Sequence, residues 1–119
     1  MTTGLISHPL FLDHHTENGH PECPERLTAT LQRIETTGTI NKLVHLSPQK
    51  ANTENLQQIH SPGYIDYVKK LSAVGDLQIM TADTSVSAAT FDAAVLASGG
   101  ALTAVDAVIS ETVDNAFCA

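Results

Sequence analysis

The sequence predicts an α/β domain built on a parallel sheet, and three observations predict it. Short apolar runs near both ends and in the middle read as strands: "LISHPLFL" at 5–12, "KLVHLSP" at 42–48 and "AFCA" at 116–119. Between them lie stretches with helical spacing of apolar residues. The longest helical stretch is rich in alanine and glycine and leads straight into the last apolar run, as a helix feeding a sheet strand does. At 119 residues the chain has room for one domain.

The elements follow in order. Residues 5–12 predict a short strand interrupted by Pro9. The stretch "LDHHTENGHPECPERL", 12–27, then leads into a helix. Pro24 suits a first helical position, where its missing N–H has no partner to lose. Leu27, Leu31 and Ile34 form one apolar stripe, and Gly38 is the expected stop. "KLVHLSP" predicts a strand closed by Pro48. Residues 52–60 predict a weaker helix with Leu56 and Ile59 inward.

Ser61 before Pro62 is a cap and first-turn pair for a helix over 62–72. Tyr64, Val68 and Leu71 share one face of it, flanked by Ile65. Residues 73–88 predict a long irregular connection, from Gly75, Asp76, Asp83 and several hydroxyl residues. Residues 89–111 predict the clearest helix. Phe91, Val95, Leu102, Val105 and Ile109 lie along one broad side, with small residues added. Gly99-Gly100 inside it costs about 1 kcal/mol per glycine relative to alanine. That cost points to close packing. Asp114-Asn115 predicts a turn before the last strand.

Charge and composition remove several function classes. Thirteen acids against six bases give a net charge of −7, which opposes binding to nucleic acid or to an anionic membrane. No unbroken apolar run predicts a membrane span and no signal-peptide pattern is present, so the expected location is cytoplasmic. Cys23 and Cys118 form no CxxC pair and read as structural.

His14, His15, His20, Glu22 and Cys23 supply every zinc-ligand type, but their spacing matches no compact zinc motif. The favoured reading is hydrogen-bonded structural histidines, with a small local metal site as the alternative that a zinc titration removes. In "HPECPER", Pro21 and Pro24 fix an extended entry into the helix, and Glu22 and Glu25 favour its positive end. Arg26 sits in the first helical turn, the wrong end for a cation, next to Leu27. That placement argues for an inward side chain needing an anion or carboxylate; a surface pair with Glu22 or Glu25 is the competing reading. Asp83 reads as a cap or turn residue, or as a rim carboxylate accepting substrate N–H groups, and Asp76 shares both readings. No G-x-S-x-G and no phosphate loop is present.

Four blocks together carry a resemblance: "GHPECPERL" (19–27), "HSPGYIDYV" (60–68), "ADTSVSAATFDAAVLASGGALTAVDAVI" (82–109) and "NAFCA" (115–119). In this order and spacing they resemble the amino-terminal third of the histone deacetylase superfamily, nearest the branch of bacterial deacetylases, acetoin-utilisation proteins and acetylpolyamine amidohydrolases. The resemblance implies a three-layer arginase–deacetylase fold around a parallel sheet. It also implies zinc-dependent hydrolysis of acetyl-lysine or acetylated amines. By that resemblance Arg26 lines the internal cavity below the metal, Asp83 sits at the substrate-binding rim, and His20, Pro21, Glu22 and Pro24 support the active-site floor.

In the family a paired-histidine motif follows the segment resembling "NAFCA", and the zinc ligands and a catalytic tyrosine come later. Residues 1–119 are therefore expected to form an incomplete domain ending before that motif. No catalytic and no metal-ligating residue is expected in the chain, no zinc is expected to bind it, and it is expected to be inactive alone. The alternative is a noncatalytic binding or structural module. The expected partners are the remainder of the same domain, or a second copy meeting it through exposed apolar surface.

Overall fold

The computed structural model describes residues 1–119. Three parallel strands form the central sheet: β1 (Thr3–Ile6), β2 (Leu43–His45) and β5 (Asn115–Cys118), in the order β2-β1-β5. Thr3 pairs with Leu43 on one side and Asn115 on the other. Parallel neighbours need crossover connections, and helices supply them here. These are α1 (Pro24–Thr36), α2 (Thr53–Gln57), α3 (Pro62–Ala73) and α4 (Thr90–Ile109). An antiparallel hairpin, β3 (Gln78–Thr81) with β4 (Thr84–Val86), stands apart from the sheet.

Several boundaries are set by local chemistry. Cys23 is the extended residue before α1, and Pro24 opens that helix. Gly38 follows it with φ 69°, the left-handed conformation that ends helices. The Asn52 side chain accepts the Asn55 N–H at 2.8 Å, capping α2. Ser61 caps α3 by accepting the Tyr64 N–H at 3.3 Å.

Helix α4 packs against β1 and β5, and α3 packs against α4. The side of α4 that meets the rest of the molecule is its small-residue side: Ala93, Leu96, Gly99, Gly100, Ala104 and Ala107 are buried. A Cβ on Gly99 would stand 1.7 Å from the Gln49 carbonyl oxygen. The absence of that carbon lets the 49–51 backbone lie against the helix, where the Ala51 N–H donates to the Val95 carbonyl at 3.1 Å. The core is completed by Leu5, Ile6, Val86 and Val113. The molecule is a slab with extents of 42 × 34 × 19 Å.

Four expectations need correction. The first strand is Thr3–Ile6, not 5–12. Pro9 opens a 3-10 turn over Pro9–Asp13, because a proline ends pairing and suits a first turn. Ile59 is 82% exposed and not inward, since α2 ends at Gln57. The 73–88 connection holds the β3–β4 hairpin. Asn115 belongs to β5, and the preceding Asp114 accepts the Thr2 N–H.

In α4 the small residues make the close approach expected of them. Phe91 and Val95 are half-buried, but Leu102, Val105 and Ile109 are exposed. Close approach selects small residues, and Leu96 is the one large side chain among the six buried on this helix. Averaged over eighteen residues α4 also reaches a mean hydropathy of 1.5, long and apolar enough by composition to cross a membrane, although no unbroken apolar run announces it. A third of that window is buried within the fold.

Candidate functional site

The loop between the 3-10 turn and α1 carries His14, His15, Glu17, His20 and Glu22. It runs alongside the stretch from the β3–β4 turn to the start of α4, and four side-chain contacts join the two. His14 Nδ1 lies 2.8 Å from Thr90 Oγ1. The His15 N–H donates to Ser87 Oγ at 3.0 Å. The Ser85 hydroxyl donates to the Glu17 carboxylate. His20 Nε2 lies 3.3 Å from Asp83 Oδ1. The pairs run antiparallel, rising from 14 to 20 on one side and falling from 90 to 83 on the other.

This seam has electrostatic consequences. Burial lowers the pKa of His14, with Glu22 partly opposing the shift. A neutral His14 ring can then accept the Thr90 hydroxyl at Nδ1. The Ser85 hydroxyl lowers the pKa of Glu17 by favouring its charged form. At the start of α1, hydrogen bonding to its own backbone N–H lowers the pKa of Glu25, helped by Cys23.

Beneath the seam lies an open cavity of about 480 Å³. Its wall includes His14, Glu22 and Arg26 from the loop and α1, Thr90 and Ala93 from α4, and Phe117 from β5. Arg26 therefore borders the cavity, but its side chain is 63% exposed and does not reach inward. Its Nη2 donates to Glu22 Oε1 at 2.9 Å, and this hydrogen bond raises the arginine pKa. The expected inward side chain gives way to the competing reading, a surface pair with Glu22, made at the edge of the cavity.

Asp83 sits at the turn between β3 and β4 with its side chain 91% exposed. It is joined to His20 but does not line this cavity. Pro24 and Glu22 line the cavity; Pro21, exposed in the bend before α1, does not. Asp76 borders a second cavity of about 540 Å³ with Asp13 and His15. Among the cavity residues that sequence reading missed are Thr90, Phe117 and Cys118, which come from distant parts of the chain. Only Thr90 carried a local signal: its hydroxyl accepts the Ser87 N–H at 2.7 Å, a turn at the entry to α4. No three His, Cys, Asp or Glu side chains are grouped to hold a metal ion, so these residues do not by themselves fit a zinc centre.

The family model described as the histone deacetylase domain matches residues 20–119. A probable deacetylase of Archaeoglobus fulgidus is 34% identical over 98% of this chain and 33% of its own length. The human polyamine deacetylase HDAC10 is 33% identical over 97% of this chain and 18% of its own. The crystal structure of the HDA15 HD domain superposes with a TM-score of 0.91 at 24% identity, covering 99% of this chain and 35% of that one. The chain thus spans a third or less of the curated relatives' length. With a family match across 100 consecutive residues and a shared α/β arginase–deacetylase fold, the chain belongs to the histone deacetylase family.

Proposed function

We propose that this chain forms the supporting wall and rim of the pocket in a zinc-dependent amide hydrolase acting on acetyl-lysine or acetylated amines. The observation that carries the reading is the cavity bordered by Arg26, within a segment that belongs to the histone deacetylase family. Arg26 is the only lysine or arginine on its wall. Hydrolysis of an acetylated amine releases acetate, and a guanidinium is suited to a carboxylate product. The Glu22 pair does not block this role, because an exposed ion pair is weak and exchanges partners readily. Asp83, an exposed carboxylate on a hairpin turn, offers acceptor oxygens to substrate N–H groups at the rim.

When bound, zinc polarises the amide carbonyl and activates water. In this reading its ligands and the proton-transfer histidines come from the remainder of the domain, which is also the partner for the apolar surface exposed here. The 119 residues alone are then inactive.

The test is an assay of the purified chain with zinc on acetyl-lysine and acetylpolyamine substrates. No turnover above the blank is expected, and zinc-dependent hydrolysis by the chain alone would overturn this assignment. Once the chain is reconstituted with polypeptide completing the domain, Arg26→Ala is expected to lower turnover and weaken inhibition by acetate. Unchanged acetate inhibition would remove Arg26 from the product path.

A further inference from the structure

His20 faces two partners through its two ring nitrogens. Nδ1 lies 3.0 Å from the Glu22 backbone nitrogen and 3.2 Å from the Glu22 carbonyl oxygen. Nε2 lies 3.3 Å from Asp83 Oδ1. The His20 side chain is 16% exposed, against 91% for Asp83, so a fixed ring meets a carboxylate standing in water.

A neutral imidazole carries one hydrogen, and the two choices are not equivalent. With the hydrogen on Nδ1, the ring presents an N–H to the Glu22 N–H and a lone pair to a carboxylate. Both are repulsive. With the hydrogen on Nε2, the ring accepts from Glu22 and donates to Asp83, and both contacts become hydrogen bonds. The Glu22 carbonyl loses nothing, because the Thr16 hydroxyl already donates to it. On its own hairpin the Asp83 carboxylate has no such anchor; only the backbone N–H of Asp83 is held locally, by Thr81 Oγ1 at 3.3 Å.

We propose that His20 is a positioning residue: its Nε2–H tautomer orients the Asp83 carboxylate and couples it to the loop of Glu22, whose own carboxylate pairs with Arg26. The ring thereby links the hairpin turn to the cavity wall. The part of this that concerns substrate rests on the rim role given to Asp83 above; the tautomer and the coupling do not.

The experiment is nitrogen-15 NMR of the 119-residue chain labelled at histidine, at about pH 8, above the usual imidazole range. His20→Gln identifies the His20 signals by their loss. The expected pattern is a single Nε2–H tautomer, with the Nε2 resonance displaced in Asp83→Ala, a substitution at an exposed turn. An Nδ1–H pattern, a rapidly mixed pair of tautomers, or a ring indifferent to Asp83→Ala would each overturn the proposal. A second readout uses the Asp83 carboxyl carbon. A glutamine amide nitrogen reaches the position of Nε2, so His20→Gln is expected to keep the Asp83 shift. His20→Asn, whose amide ends at the position of Nδ1, is expected to lose it. Equal effects of the two would mean a merely structural role. If Asp83→Ala moves the His20 ring as stated but leaves KM unchanged in a reconstituted domain, the coupling stands and the rim role falls.

Discussion

His14 combines partial burial with a titratable ring, and this makes it a pH-sensitive point of the fold. Its pKa is lowered from the ordinary 6.5, chiefly by burial. As pH falls below about 6.5, the unfolded chain takes up a proton that the folded chain resists. His14 therefore opposes unfolding least in that acid window and favours the fold fully above it. Resistance of the wild-type chain to chemical denaturation is expected to weaken as pH falls from 6.5. In His14→Asn, which keeps an acceptor for Thr90, that slope is expected to shrink; an unchanged slope would place the titration elsewhere. At this scale the sequence was informative about types and silent about partners. The histidine loop stood out, and Pro24 and Ser61 were legible because capping is local. The pairing of His14 with Thr90 spans 76 positions, so no spacing rule could show it.

Helix α4 shows how its glycines made a packing contact legible. They argued for a close approach, and the 49–51 backbone makes one at Gly99. Of its large apolar residues Leu96 is buried, Phe91 and Val95 are half-buried, and Leu102, Val105 and Ile109 are exposed. Burial area favours large side chains, but close backbone contact excludes them, and steric exclusion wins wherever a main chain lies against the helix. The two glycines should respond differently to alanine. Helix propensity favours each substitution by about 1 kcal/mol. At Gly99 the new carbon meets backbone at 1.7 Å, which only displacement of the helix relieves. Gly99→Ala is expected to destabilise the chain by about 2 kcal/mol or more net. At Gly100 the nearest atoms are the Ile6 side chain at 3.0 Å and Pro48 at 3.3 Å, which need to shift by only tenths of an ångström. Gly100→Ala is expected to fall within about 1 kcal/mol of wild type. Equal loss at the two sites in denaturant titrations would refute this account. The hairpin over 78–86 was illegible as strands, because "QIMTADTSV" lacks a clean alternation and its turn residues read as loop.

As a whole, the molecule leaves apolar surface in water. Leu102, Val105 and Ile109 occupy one side of α4 at 41%, 54% and 76% exposure, and Phe117 on β5 is 47% exposed. A contiguous apolar surface drives association, whereas a net charge of −7 opposes it through mutual repulsion. The balance depends on ionic strength, because salt screens charge and leaves apolar burial intact. Sedimentation of the chain is expected to show self-association that strengthens with both concentration and salt. Val105→Lys with Ile109→Lys is expected to suppress it. A compact monomer at high salt would show that this surface is not adhesive. The α/β class was legible in the sequence because helices and strands alternate. The strand order and the slab shape were not, because both arise from contacts between residues far apart in the chain.

The joint between the 49–51 main chain and α4 separates two properties that are usually tied together. At Gly99 main chain meets main chain, and the Thr103 hydroxyl bridges the two by accepting the Gln49 N–H at 3.4 Å and donating to the Gly99 carbonyl at 2.9 Å. Thr90 and Ala93, on the cavity wall, belong to the same helix that this joint fixes in place. The joint therefore positions α4, and with it one wall of the cavity, largely through main-chain geometry, while the cavity's polarity is written by residues such as Glu22, Arg26 and His14. Substitutions at those three positions are expected to change what the cavity prefers more than where α4 lies.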